Sequence, residues 1–178
     1  KWNTFALRCI AMPDPRVPLE YLASPLAAFE AWRDPLTGRR PQLEFLVAAA
    51  RSDRRVIQAG NQVGKTYVTV LDDLLVALGW HPFVRRDGPQ KVWVSVLDWE
   101  WERGQVLWPT MRRLLPTREV RGVTYWRRGD PEIPLYVSFR NGSLITFKSA
   151  AAGREKYQGV GVDLLHLSTY GSRRGNHE

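Results

Sequence analysis

An α/β fold, with a parallel sheet flanked by helices and carrying a β-hairpin insertion, is predicted by three observations. The first is Gln58-Ala59-Gly60-Asn61-Gln62-Val63-Gly64-Lys65-Thr66, a glycine-containing loop between a strand-like apolar stretch and a helix-like one. The second is Lys91-Val92-Trp93-Val94-Ser95-Val96-Leu97, a strand pattern that follows the helix and completes a β-α-β unit, which requires parallel strands. The third is residues 135–147, where apolar and polar residues alternate on both sides of Asn141-Gly142, the strongest short-range hairpin signal in the chain.

The first forty residues are punctuated by Pro13, Pro15, Pro18, Pro25 and Pro35, and read as an adaptor segment (1–40). Within it, Ser24 as N-cap and Pro25 in the first turn predict a short helix through Phe29 and Trp32. Pro41 opens a second helix with Leu43, Leu46, Val47 and Ala50 on one face. Arg55-Val56-Ile57-Gln58 reads as the strand before the loop, and residues 67–78 as a buried helix closed by Gly79. Turn-forming residues fill 79–89, ahead of the Lys91 strand. Residues 98–115 read as helical despite Gly104 and Pro109, and Pro116 ends them. The Trp99-Glu100-Trp101-Glu102 cluster is expected to pack that helix onto the sheet. After the hairpin and a small-residue loop at 150–161, Val162-Asp163-Leu164-Leu165-His166-Leu167 reads as another buried strand. The core is thus placed at 41–167, followed by an unstructured polar tail, 168–178.

Composition agrees with one domain: 178 residues, 44% hydrophobic and 25% charged, suffice for a sizeable core. No apolar run is long enough to cross a bilayer, and the opening residues do not form a signal peptide, so a cytoplasmic protein without a membrane partner is expected. The sequence begins at Lys1 rather than Met, as in a processed chain or one starting inside a longer reading frame. The single cysteine, Cys9, reads as a small apolar residue. A net charge of +8 favours a polyanionic partner through counterion release. Its densest part, Arg112, Arg113, Arg118, Arg121, Arg127 and Arg128 interleaved with Tyr125 and Trp126, suits a nucleic-acid backbone and base stacking. It reads equally as a solvated basic face or a protein-partner surface.

The loop carries the sharpest chemistry. Strand, glycine loop and helix form the context in which backbone N–H groups and the helix dipole hold phosphates. Lys65 would reach the β- and γ-phosphates of ATP, and the Thr66 hydroxyl would ligate Mg²⁺. Ala59, Gly60, Asn61, Gln62, Val63 and Gly64 would line the phosphates. Ala59 stands where the usual pattern has its first glycine.

Taken in order, Gln42, Ala-Gly-Asn-Gln-Val-Gly-Lys-Thr, Val-Trp-Val-Ser-Val-Leu-Asp, Arg-Asn-Gly-Ser-Leu-Ile-Thr-Phe-Lys-Ser and Tyr-Gln-Gly-Val-Gly-Val-Asp-Leu-Leu-His-Leu resemble the ATPase domain of the tailed-bacteriophage large terminase subunit. The resemblance covers residues 41–167. It implies a RecA-like, additional-strand P-loop NTPase core that drives viral DNA packaging with ATP and Mg²⁺ in the host cytoplasm. It also implies double-stranded DNA, the small terminase subunit and further copies in a ring on a procapsid portal as partners. By the same resemblance Gln42 reads adenine, although a helix-surface glutamine is an equal alternative. An arginine finger is expected beside the glycine matching Gly159, but Gln158 occupies that place, leaving Arg154 as the nearest substitute.

Hydrolysis also needs a carboxylate on Mg²⁺ and a residue that orients water. In the family these follow the strand matching residues 164–167, whereas here Ser168-Thr169 follows. Asp163 precedes the strand and so stands at its wrong end. The expectation is an ATP-binding module with hydrolysis weakened or lost, without the family's nuclease domain, and with a frameshift or artificial boundary after Leu167. Two alternatives are a non-catalytic DNA-binding or assembly fragment and a helicase-like nucleic-acid translocase.

Overall fold

The helix expected after the glycine loop is the central element of the structure. The computed structural model describes residues 37–58, 64–97, 101–126, 134–151 and 153–168, apart from the side chains of residues 101, 102, 154 and 156. Helix α1 spans Pro41–Val47 and continues as a 3₁₀ turn, Ala48–Ala50. Helix α2, Lys65–Leu78, starts at Gly64 and stops at Gly79, both with left-handed backbones. At its end the N–H groups of Gly79 and Trp80 bond back to the carbonyls of Val76 and Leu75, satisfying carbonyls the helix would otherwise leave bare.

Among the described residues, five strands form one mixed sheet in the order β2-β3-β4-β1-β5. They are β1 (Lys91–Val96), β2 (Val120–Tyr125), β3 (Pro134–Phe139), β4 (Leu144–Ser149) and β5 (Leu164–Ser168). Strand β1 pairs in parallel with both β4 and β5, while β2, β3 and β4 are joined antiparallel. The sheet with its flanking helices makes an α/β fold. Between β1 and β2 the chain forms a wide π-type turn, Trp101–Leu107, and then helix α3, Trp108–Leu114. Pro109 lies where the π-type turn passes directly into α3, with Leu107 already helical, and a proline there removes one helical N–H at the point where the hydrogen-bond pattern changes.

Alternation along the strands separates the sheet into two faces. Val92, Val94, Val96, Val137, Phe139, Ile145 and Phe147 pack with Val70, Leu74 and Ala77 of α2 and with Leu107, Trp108 and Met111. A second cluster joins Leu46 of α1 to Val68, Leu71 and Leu75 on another side of α2. Each fully buried Leu or Val contributes about 1.5–3 kcal/mol, so this burial outweighs the intrinsic cost of the β-branched residues within α2. On the opposite face Trp93 meets Tyr157 edge-on at 5.8 Å, with the Lys148 ammonium 3.7 Å above the Trp93 ring.

The direction of α2 follows from its contacts. Asn141 Nδ2, in the turn preceding β4, donates to the Ala77 carbonyl at the C-terminal end of α2 (2.9 Å). Helix α2 therefore runs antiparallel to β1, β4 and β5, and its N-terminus lies toward the edge where those parallel strands end.

Several expectations need correction. Arg55–Gln58 takes no place in the sheet, and Val56 is 89% exposed. A strand needs a neighbouring ladder, and no described segment pairs with β5 on the side away from β1. The hairpin is not an insertion: its second strand, β4, is the interior strand between β3 and β1. Strand β2 was not foreseen, because the arginines in 118–121 masked a short strand. Ser168 belongs to β5 rather than to a tail. In α1, Leu43 and Leu46 are buried as expected, but Ala50 is exposed and Gln42 is buried instead. The predicted helix in the N-terminal adaptor, residues 98–100 and the segment 169–178 lie outside the described residues.

Candidate nucleotide-binding site

Gly64, Lys65 and Thr66 form the junction that the sequence singled out. Gly64 has φ +78°, and its carbonyl accepts the Val68 N–H at 3.1 Å, so the helix begins immediately after a left-handed residue. The N–H groups of Lys65, Thr66 and Tyr67 precede the first intrahelical donor and are directed out of the helix end, where the dipole favours an anion. Lys65 and Thr66 are half-buried. Residues Ala59, Gly60, Asn61, Gln62 and Val63 lie outside the described residues.

Gln42 is brought to this junction. It is buried in α1, and a β-carbon on Gly64 would lie 3.4 Å from its Nε2. Its side chain thus borders the loop rather than a free helix surface.

Two neighbouring aspartates brace α2, and sequence reasoning did not identify their partners. Asp72 accepts from Arg55 Nη2 at 2.7 Å and bonds to His81 Nε2 at 3.0 Å. The Phe83 N–H donates to His81 Nδ1 at 3.2 Å, which fixes Nδ1 as acceptor and Nε2 as the protonated donor to Asp72. Burial alone would raise the Asp72 carboxyl, but hydrogen bonds from His81 and Arg55 and the arginine charge hold it below the usual carboxylate range. Asp73, one residue on and turned about 100° around the helix, reaches His166 Nδ1 on β5 at 2.8 Å. There burial wins, pushing the Asp73 carboxyl up against the opposing attraction of His166. The available signal was Leu71-Asp72-Asp73-Leu74: two adjacent acids inside an apolar helix require buried partners.

The remaining candidates are scattered. Ser168 ends β5 opposite Val96, on the same edge of the sheet as the start of α2. Asp163 stands at the other end, its carboxylate accepting the Lys91 N–H at 2.7 Å. Among the described residues no cluster of three or more His, Cys, Asp or Glu could hold a metal. Arg154 lies in a 3₁₀ turn, Arg154–Tyr157, without a described side chain. Arg112, Arg113, Arg118 and Arg121 are exposed, while Arg127 and Arg128 lie outside the described residues. Of the two aromatics expected to stack on bases, Trp126 is 54% exposed, but Tyr125 packs edge-on against buried Trp108 at 6.2 Å. Tyr125 therefore serves the core.

No described helix is long and apolar enough to cross a membrane. Comparison with protein families, with curated proteins and with solved structures found no match to this chain.

Proposed function

We propose that this chain is an ATP-binding module of the motor-ATPase type, resembling the large terminase subunit, in which hydrolysis is weak or lost. The observation that carries this reading is the start of α2: a left-handed Gly64, then Lys65 and Thr66, at the sheet edge where β1 and β5 end. In α/β sheets ligands bind at that edge, and a helix N-terminus there suits a phosphate. Lys65 would neutralise the β- and γ-phosphates and Thr66 would contribute one oxygen to Mg²⁺. Bound Mg²⁺ would supply charge neutralisation at the phosphate oxygens. Gln42 borders Gly64 at the start of α2.

Weak turnover follows from what surrounds Ser168. Strand β5 ends in Ser168 and carries no carboxylate of its own, and Asp163 is engaged at the other end. With Ser168 where an aspartate would stand, Mg²⁺ would keep Thr66 and phosphate oxygens without a carboxylate from β5.

Titration calorimetry with Mg²⁺-ATP tests the proposal. Saturable binding is expected, weakened at least about tenfold by Lys65→Ala, since a hydrogen bond to a charged group contributes about 1.5–3 kcal/mol. Equal affinity in the folded variant would reject the site, and rapid ATP turnover by the unaltered chain would reject the account of Ser168.

A second reading, non-catalytic DNA binding, is favoured by the exposed Arg112, Arg113, Arg118 and Arg121 with Trp126 nearby in sequence. It predicts DNA affinity that depends on salt and is indifferent to ATP and to Lys65→Ala.

A further inference from the structure

The Arg55–Asp72 pair joins the segment approaching the phosphate loop to the helix that leaves it. Arg55 stands four residues before Ala59, and Asp72 lies in the second turn beyond Thr66. The Arg55 guanidinium does more than pair with Asp72: Nη1 donates to the Phe45 carbonyl at 3.3 Å, and the group lies 4.7 Å from the Phe45 ring centroid. Phe45 sits in α1, one helical turn beyond Gln42. One side chain therefore fastens three pieces of chain: the α1 turn that carries Gln42, the approach to the loop, and α2. His81 completes the Asp72 carboxylate from the loop following α2.

This fastening takes the place of sheet pairing. Residues 55–58 have no strand neighbour among the described residues, so their backbone is not held by a ladder. The planar fork of arginine can hold a carboxylate and a carbonyl together, which the point charge of lysine cannot reproduce.

Resting on the nucleotide reading above, we propose that Arg55 and Asp72 are positioning residues that hold residues 55–58 and the Gln42-bearing turn of α1 against α2, and so determine nucleotide affinity at the start of α2 without touching the nucleotide. A merely structural pair would lower stability and leave the affinity of the folded protein unchanged.

The test measures thermal stability alongside affinity for Mg²⁺-ATP and for Mg²⁺-inorganic triphosphate, in the full chain. Arg55→Met alone strands a buried carboxylate and is expected to destabilise. The double variant Arg55→Met/Asp72→Asn removes that charge while keeping an oxygen for the His81 N–H, so its stability should return toward that of the unaltered protein. Its affinity for both ligands should nevertheless stay roughly tenfold to hundredfold weaker, the range found when a group supporting a ligand-binding residue is removed. Arg55→Lys, which retains charge but not the fork, should fall between. Unchanged affinity in the folded double variant overturns the proposal; if that variant does not fold, unchanged affinity in Arg55→Lys does so. Absence of binding by the unaltered chain is a separate result, rejecting the nucleotide reading itself and the positioning role with it.

Discussion

Replacing Gly64 with alanine probes the junction between loop and helix most directly. Gly64 holds φ +78°, and a residue with a β-carbon pays about 1–2 kcal/mol to remain in that left-handed region. Steric crowding adds little, because the new β-carbon would meet Gln42 Nε2 at 3.4 Å, an ordinary van der Waals separation. A contact of that kind returns about 0.1–0.2 kcal/mol, so the net loss stays about 1–2 kcal/mol. For a chain of 178 residues this is a fall in Tm of about 2–8 °C. The chain can relieve the strain by rotating the peptide between Gly64 and Lys65, which turns the Lys65 N–H away from the helix end and would weaken the proposed phosphate binding. Gly64→Asn, which tolerates the left-handed region better, should lose less of both properties. Thermal melts and Mg²⁺-ATP titrations on the two variants form the assay. Refutation would be an alanine variant with unaltered Tm and affinity, since a backbone indifferent to φ at residue 64 cannot be shaping the site.

Two further outcomes are expected. Asp73 has a folded-state carboxyl raised above its unfolded value by burial, so the folded protein binds the extra proton and this contribution to stability is present below the unfolded value, about pH 4, and lost as pH rises through the folded one. Asp73→Asn removes that loss, and urea titrations should show its stability relative to the unaltered chain improving as pH rises from 4; a difference independent of pH would place the raised value elsewhere. In DNA binding, Arg112→Ser/Arg113→Ser should lower the slope of log affinity against log salt by about 0.9 for each phosphate no longer neutralised, and an unchanged slope would remove these arginines from the interface.

Periodicity and turn chemistry made much of this architecture legible. Gly79, the Asn141-Gly142 turn and the β1 run each announced their structure through local physics that tertiary packing did not override. Helix α2 was legible because its residues are predominantly apolar, Asp72 and Asp73 aside, and a glycine closes it. Residues 55–58 were misjudged for a converse reason: strand propensity is realised only beside a partner, and no described strand lies there. Strand β2 was hidden because it carries Arg121, Gly122 and Thr124, its place being set by pairing with β3 rather than by its own pattern. At the candidate site, the spacing placed Gly64 immediately ahead of a helix, as the structure has it. The Arg55–Asp72–His81 and Asp73–His166 contacts could not, because pairings across 17, 9 and 93 residues leave no short-range signature.

The Asp73–His166 contact also constrains the order in which the molecule is made. Strand β1 must wait for β4 and β5 before its two parallel edges are paired, and such distant closures are slow steps of folding. Helix α2 and its neighbour α1 can collapse together soon after leaving the ribosome, through Leu46, Val68, Leu71 and Leu75. Until β5 is in place Asp73 lacks His166, the partner it meets in the folded structure. Arrival of His166 brings the hydrogen-bond partner that lets Asp73 become dry. Docking of β5 is thus the event after which α2 acquires its final seat, and chains that stop short of Leu164 should be less protected from hydrogen exchange along α2 than the full chain.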